Sequence, residues 1–396
     1  MVGNIKSMNV ESKTFCIMPW IQTNISLPYT YNPCCNSGVP YHNTTVKDFT
    51  IQEAFNGVEH SKLRQQLDSE KRPSICNVCW IKEDAGIYSE RQGYNEQFKN
   101  YFHINKPTLK YLDVEFDNVC NLQCVMCNQH SSDQIWKLVN DFKEKGLPLP
   151  TSLKNHKQHN YYSTEKKQYV KDVLTNGVDI FKVTGGEPLL SKDFLEILNF
   201  AIEKDLAKDL ELNITTNGTK FSKTILEKIK KFKKVKLTIS IDGTGEVYEY
   251  IRHPFSWKQI DKRLLEISKY DYINIELSCV VQAYNWLNLD QLVNYSKHFV
   301  NFDFKIWPPG SELSPDFLPH HILDLGLDRI KKTNCEQIIN FENFVNFRKS
   351  NRIPKGKLER INDLLYETTI NYDTVRDTSY KTLDPTLVAW LKTLKI

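Results

Sequence analysis

The sequence has no apolar run that reaches the roughly 18–20 residues required to span a bilayer, which argues against an integral helical membrane protein. It has no large charge excess either: 52 Lys and Arg stand against 48 Asp and Glu. A surplus that small does not mark a surface built to coat a nucleic acid. The first residues, MVGNIKSMNVESKTFC, lack a basic flank followed by an apolar stretch, so no secretory signal is expected. These absences predict a reducing, cytoplasmic setting with neither membrane nor nucleic acid as partner. Hydrophobic residues at 40% and charged residues at 25% exclude wholesale disorder. At about 150 residues per domain, the length allows two or three folding units.

What the chain does have is cysteine, ten in all. In a reducing compartment clustered cysteines point to metal before disulfides. Cys16, Cys34, Cys35, Cys76 and Cys79 lie in the front end, Cys120, Cys124 and Cys127 crowd one short stretch, and Cys279 and Cys335 stand alone. The last two read as a small buried strand hydrophobe and a residue of a polar helical region. A thiolate is a soft anionic ligand suited to zinc or to iron–sulfur iron.

The central triplet follows Tyr111 to Phe116, an alternating, β-prone run, and precedes a helix-like stretch from Ser131 with Ile135, Leu138 and Val139 at helical spacing. Three thiolates on one strand-to-helix loop can hold three irons of a cubane and leave the fourth open to a cofactor. The other reading is a structural zinc site with a distant fourth ligand. Five further strand-like runs follow: Val178 to Val183, Glu211 to Thr215, Val235 to Ile241, Ile273 to Val281 and Phe302 to Trp307. Helical stretches such as Asp193 to Lys204 and Ser222 to Lys231 separate them. Alternation of strand and helix predicts an α/β fold with a parallel sheet and right-handed crossovers. Six units are too few for an eight-stranded barrel, so a partial (βα)6, TIM-like barrel is expected, with its chemistry at the carboxyl ends of the strands.

Motifs fall at those ends. VTGGEPLL offers Gly185 and Gly186, which let backbone approach a ligand closely, and the carboxylate of Glu187. ITTNGT offers Thr216 and Asn217, although an Asn-Gly turn explains part of it. SIDGT offers Ser240 and Asp242, and YEYIRH supplies Arg252, able to grip a carboxylate with two parallel bonds or to form a surface ion pair. In the front end, FCIMPW, NPCC and CNVCW could close a four-thiolate site, and spacing alone leaves zinc and iron–sulfur both open.

The Cys-x-x-x-Cys-x-x-Cys triplet resembles the signature of the radical S-adenosylmethionine (SAM) superfamily. The resemblance implies a [4Fe-4S] cluster on Cys120, Cys124 and Cys127, with SAM chelating the open iron through its amino and carboxylate groups. It assigns Gly185, Gly186 and Glu187 to the SAM amino group, a lining role to Thr216 and Asn217, and contacts near the SAM ribose or carboxylate to Ser240, Asp242 and Arg252. One departure is Met126, where the superfamily often has an aromatic residue. The front-end strings and the tail NYDTVRDTSYKTLDPTLVAWL are similar to radical SAM proteins with a twitch or SPASM-type auxiliary domain, here ahead of the barrel. That likeness implies an auxiliary [4Fe-4S] cluster on Cys16, Cys34, Cys76 and Cys79, with Cys35 the alternative to Cys34, and a structural ion pair between Glu83 and Arg91. The expected domains are 1–105 for the auxiliary cluster, 106–310 for the barrel and 311–396 for a helical extension.

The implied activity is reductive cleavage of SAM to a 5′-deoxyadenosyl radical that takes hydrogen from a substrate, such as a peptide or protein side chain. It calls for a one-electron donor such as flavodoxin or ferredoxin. The competing expectation is a zinc-stabilised, non-catalytic binding module on a barrel of the same shape.

Overall fold

The computed structural model describes residues 9–37, 44–104, 106–154, 157, 163–299, 301–306 and 311–394. Trp307 of the last expected strand lies outside the described residues, as do 155–156 and 158–162 of the polar stretch Glu144 to Lys171. The chain divides into two compact units. One comprises Met1–Asp117, His159–Ile214 and Lys223–Val235; the other comprises Asn118–Gln158, Thr215–Ser222 and Lys236–Ile396.

The first unit holds strands β1 (Gln22–Ser26), β2 (Thr30–Asn32), β3 (Tyr111–Glu115), β4 (Ile180–Thr184) and most of β5 (Glu211–Thr216). β2 pairs antiparallel with β1, whereas β1–β3, β3–β4 and β4–β5 are parallel. Alternation sends Leu112, Val114, Phe181, Val183, Leu212 and Ile214 to one buried face. Helix Lys192–Glu203 starts where Ser191 Oγ accepts the Phe194 N–H at 3.2 Å, and it buries Phe194, Ile197, Leu198 and Ala201 at i, i+3, i+4 and i+7. Phe194 meets Phe116 and Phe181 with ring centroids 6.3 and 6.5 Å apart. The other face is polar, because Asn24, Asp113, Lys182 and Asn213 stand opposite one another in register, with Lys182 Nζ 3.0 Å from Asp113 Oδ2.

The second unit holds most of β6 (Lys234–Ser240), then β7 (Ile273–Val281) and β8 (Asn301–Ile306). β7 and β8 run parallel from Glu276↔Asn301 to Val281↔Ile306, and helix Leu289–Ser296 makes the crossover that parallel pairing demands. β7 alternates strictly between buried and half-buried positions. After β8 the chain is helical: His320–Lys331, Ile338–Ser350, Lys355–Arg376 and Pro385–Thr393.

The fold is thus α/β with a mainly parallel sheet, and the six expected strands lie within about two residues of their expected positions. In the first unit the free side of β2 is met by residues 44–46, with an antiparallel bridge between Thr30 and Thr45 and Tyr31 N donating to Thr44 O at 3.0 Å. β1 and β2 were not expected. Residues 22–26 add to the sheet beside β3, although QTNIS lacks the apolar alternation that betrays a strand. No helix among the described residues is long and apolar enough to cross a membrane.

Gly326 shows how tightly the second unit is packed. A Cβ there would lie 2.2 Å from Trp286 Nε1, and that indole also donates to Ile322 O at 3.1 Å and faces the rings of Phe341 and Phe344. Gly→Ala in an exposed helix gains roughly 1 kcal/mol. Gly326→Ala is expected to reverse that sign and lose about 1–3 kcal/mol through overpacking, as read by denaturant unfolding.

Candidate active site

The cysteine loop is built by its own backbone. Asn118 Nδ2 donates to Gln129 O at 2.7 Å, Asp133 N to Asn118 O at 2.8 Å, and Cys120 N to Asp133 Oδ1 at 3.0 Å. Ser132 Oγ closes the loop on Leu122 O at 2.7 Å. On one side it is zipped to the segment that carries Arg252, with Gln123 N donating to His253 O at 2.7 Å and Val125 N to Ile251 O at 3.0 Å. The expected helix after the loop is Gln134–Glu144, with Ile135, Leu138, Val139 and Phe142 buried.

Within the second unit these contacts gather Cys120, Cys124 and Cys127 with Asn217, Asp242 and Arg252. Arg252 Nη2 is 2.7 Å from Asp242 Oδ2, and Arg252 Nη1 donates to Cys124 Sγ at 3.9 Å. Asp242 is fully buried and also accepts the Val280 N–H at 2.7 Å. Burial works against the Arg252 charge, but Asp242 and then Cys124 more than offset it and hold the guanidinium protonated. Cys124 is pulled down to about 7 by the hydrogen bond from Cys127 and by Arg252, against the opposing effect of burial; Cys127 is pushed up in turn. Cys124 is therefore the more acidic member of that thiol pair.

Asn217 Nδ2 donates to Cys120 Sγ at 3.7 Å and to Asn121 Oδ1 at 3.0 Å. Thr219 N donates to Asn217 Oδ1 at 2.9 Å, and Gly218, at φ +74°, donates to Thr216 Oγ1 at 3.1 Å. The Asn-Gly turn and the contact with the cysteine loop are thus the same feature. Ser240 ends β6 half-buried. Cys279 is fully buried, with Asn285 Nδ2 3.5 Å from its sulfur.

Sequence reasoning missed Tyr372 and Arg376. Tyr372 Oη donates to Val125 O at 3.4 Å and Arg376 Nη2 donates to Gln123 O. Their i, i+4 spacing on helix Lys355–Arg376 was the available signal.

In the first unit, Gly185 has φ +123°, and a Cβ there would fall 2.9 Å from Asp117 O; Gly186 N donates to the same oxygen at 3.0 Å. Glycine is therefore required for the chain to pass this close to the end of β3. Glu187 is fully buried, and its Oε1 accepts the Leu189 N–H at 3.1 Å.

The same unit brings the four front-end thiols together. Burial raises Cys16, Cys34 and Cys76, and neighbouring thiols raise them further: Cys76 and Cys79 act on Cys16, Cys35, Cys16 and Cys79 on Cys34, and Cys34 and Cys79 on Cys76. Cys79 is raised to about 11, mainly by burial. Cys35 instead is exposed, with Lys182 Nζ and Tyr94 Oη each 3.6 Å from its sulfur. Glu83 and Arg91 form the expected ion pair at 2.8 Å, and Arg91 Nη1 also donates to Phe15 O at 2.6 Å beside Cys16. Among the described residues no three His, Cys, Asp or Glu groups are gathered tightly enough to chelate one ion. Zinc draws its thiolates to about 2.3 Å from a single centre, whereas a cubane interposes its own irons and sulfides and accepts a wider cage. The donor sets, three thiols on one loop and four in the front end, fit clusters of that kind.

The family model of the Radical SAM superfamily matches residues 114–305. Over that segment the chain is similar to the enzymes of that superfamily, a likeness that implies a [4Fe-4S] cluster and SAM. A GTP 3′,8-cyclase of Limosilactobacillus fermentum is 28% identical over 233 residues, covering 57% of this chain and 63% of the relative. Molybdenum cofactor biosynthesis protein 1 of Homo sapiens is 25% identical over 187 residues, covering 47% and 26%. Streptococcus suis SuiB bound to precursor peptide SuiA aligns with a TM-score of 0.40 at 13% identity, covering 77% of this chain and 70% of that one. The chain spans less than two thirds of the length of the curated relatives it matches.

Removing one partner of a buried ion pair costs about 3–5 kcal/mol. Arg252→Met and Asp242→Asn are each expected to destabilise the protein by that order, and the double variant by clearly less than their sum. A double-mutant cycle in urea measures the coupling.

Proposed function

We propose that this protein cleaves SAM reductively and uses the 5′-deoxyadenosyl radical to take hydrogen from an organic substrate. The observation that carries the reading is the three-thiol loop with its buried arginine, inside a segment matching the superfamily. A [4Fe-4S] cluster with one open iron would supply the electron that splits the sulfonium. The chain's own part is to hold and to shield. Cys120, Cys124 and Cys127 are the ligands, Asn217 and Arg252 donate toward their sulfurs, and Asp242 fixes Arg252. By resemblance Gly185, Gly186 and Glu187 serve the SAM amino group, while Thr216 and Ser240 line its remainder.

Cys16, Cys34, Cys76 and Cys79 are proposed to hold an auxiliary [4Fe-4S] cluster. Mutual electrostatic contact of these four, and the turn of Cys35 toward Lys182 and Tyr94, support Cys34 over Cys35. We keep the division into a twitch-like front part at 1–105, a core at 106–310 and a helical extension at 311–396, acting in the cytoplasm with a flavodoxin- or ferredoxin-type donor. The name of the curated relatives makes GTP the first small substrate to offer, beside a peptide or protein side chain.

Anaerobic reconstitution followed by dithionite and SAM should release 5′-deoxyadenosine, and Cys124→Ala should abolish it. Two cubanes predict about eight irons per chain. Cys34→Ser should lower this to about four, and Cys35→Ser should leave it unchanged. Zinc in a colourless protein, or an undiminished yield from Cys124→Ala, would defeat the reading in favour of a binding module.

A further inference from the structure

Arg376 closes helix Lys355–Arg376, beyond the segment that matches the superfamily, and is 7% exposed. Its Nη2 donates to Gln123 O, and its guanidinium lies 4.2 Å from the centroid of the Tyr372 ring. Tyr372 Oη in turn donates to Val125 O at 3.4 Å. The pair therefore grips the backbone on either side of Cys124. Nε and Nη1 of Arg376 are buried without a hydrogen-bond partner, and among the described residues no carboxylate forms an ion pair with it. The acids nearby are otherwise engaged: Asp373 accepts the Tyr380 N–H at 2.7 Å, and Asp242 is held by Arg252 at 2.7 Å.

A buried cation without a direct ion pair is among the less favourable arrangements a fold can hold. Arg252 has such a pair in Asp242, whereas Arg376 interacts with Asp373 electrostatically but forms no ion pair with it. Its Nη2 bond to Gln123 O instead fixes it beside the backbone of Cys124, with Nε and Nη1 still buried without a hydrogen-bond partner. A cluster on the triplet would bring anionic thiolates to the segment that this cation holds.

We propose that Arg376 is the tail's counter-cation to the cluster held by Cys120, Cys124 and Cys127, a positioning residue that ties loading of the loop to the C-terminal helix and makes that cluster easier to reduce. The inference rests on the radical SAM reading. A nearby positive charge stabilises the more negative, reduced state of a cluster, as burial and hydrogen bonds to sulfur also tune it. It further makes the iron-free protein carry an unmatched charge that the loaded protein does not.

The test uses the full chain with Arg376→Met, similar in length but uncharged, and Arg376→Lys, which restores charge. In a redox titration followed by electron paramagnetic resonance without SAM, the signal that responds to later SAM addition identifies the cluster concerned. Arg376→Met should lower its ratio of reduced to oxidised form at least tenfold at a fixed potential, a shift of about 59 mV for one electron, and Arg376→Lys should recover most of it. Thermal unfolding supplies a readout that needs no chemistry. Both forms lose the bond to Gln123 O, so Arg376→Met should lower the melting temperature clearly less in the iron-free protein than in the iron-loaded one. An unchanged ratio, or an equal loss of melting temperature with and without iron, would show a plain structural strap and overturn the proposal. An unchanged ratio with weakened SAM binding would assign the charge to the SAM carboxylate and overturn it equally. Absence of any SAM-responsive signal in the wild type would instead count against the radical SAM reading, and the two melting comparisons would still decide the fate of Arg376.

Discussion

Three sulfur donors within eight residues repel one another once they ionise, and the second unit answers this with buried positive charge. Arg252 lies 3.9 Å from Cys124 Sγ and is itself held by Asp242. Because both members of that pair are almost inaccessible to water, their attraction is weakly screened and their geometry is fixed. The loop cannot drift from this charge, since Gln123 and Val125 are bonded through their backbones to the residues on either side of Arg252. The downward shift of Cys124 comes first from the hydrogen bond of Cys127 and then from Arg252, while Asn217 reaches Cys120 from the neighbouring Asn-Gly turn.

The front-end thiols sit in the opposite electrostatic condition. Arg91, the cation closest to them in role, is bound bidentately by Glu83, with Nε 2.9 Å and Nη2 2.8 Å from its carboxylate oxygens. Little positive charge is left over, and burial with mutual repulsion raises Cys16, Cys34 and Cys76. Such thiols stay protonated until a metal displaces the protons, so loading there is coupled to proton release. The two donor sets thus differ in more than ligand number: in the triplet one thiol, Cys124, is pulled down while its neighbour Cys127 is pushed up, whereas in the front end Cys16, Cys34, Cys76 and Cys79 are all raised.

Much of this was legible in the sequence, for reasons that can be named. β7 was readable because Ile273, Ile275, Leu277 and Cys279 alternate with Asn274, Glu276 and Ser278, and the triplet because its spacing has few other uses. β1 was not, because Gln22, Thr23 and Asn24 are buried although polar, and hydrophobic periodicity cannot report a strand whose faces are not apolar. From sequence, Cys34 is taken over Cys35 without a geometric ground for it. Adjacent residues turn in different directions, and only the folded chain reveals that Cys35 meets Lys182 and Tyr94. Tyr372 and Arg376 escaped because a tail helix gives no local hint of the distant loop it will touch.

That last failure bears on how the motif is supported. The superfamily match ends at residue 305, yet the carbonyls of Gln123 and Val125, which flank Cys124, receive their side-chain hydrogen bonds from residues 376 and 372. On the opposite edge, the N–H groups of the same two residues are satisfied from within the matched segment, by His253 and Ile251. Each residue flanking the central thiol is therefore bonded through its N–H to the matched segment and through its C=O to the C-terminal helix. Buried carbonyls left unpaired cost about 1–3 kcal/mol each, so a fragment ending at the family boundary would keep all three cysteines but lose half of what holds their backbone. The three thiols lie in the matched segment, and the hydrogen bonds that hold the backbone beside the middle one come equally from the C-terminal helix.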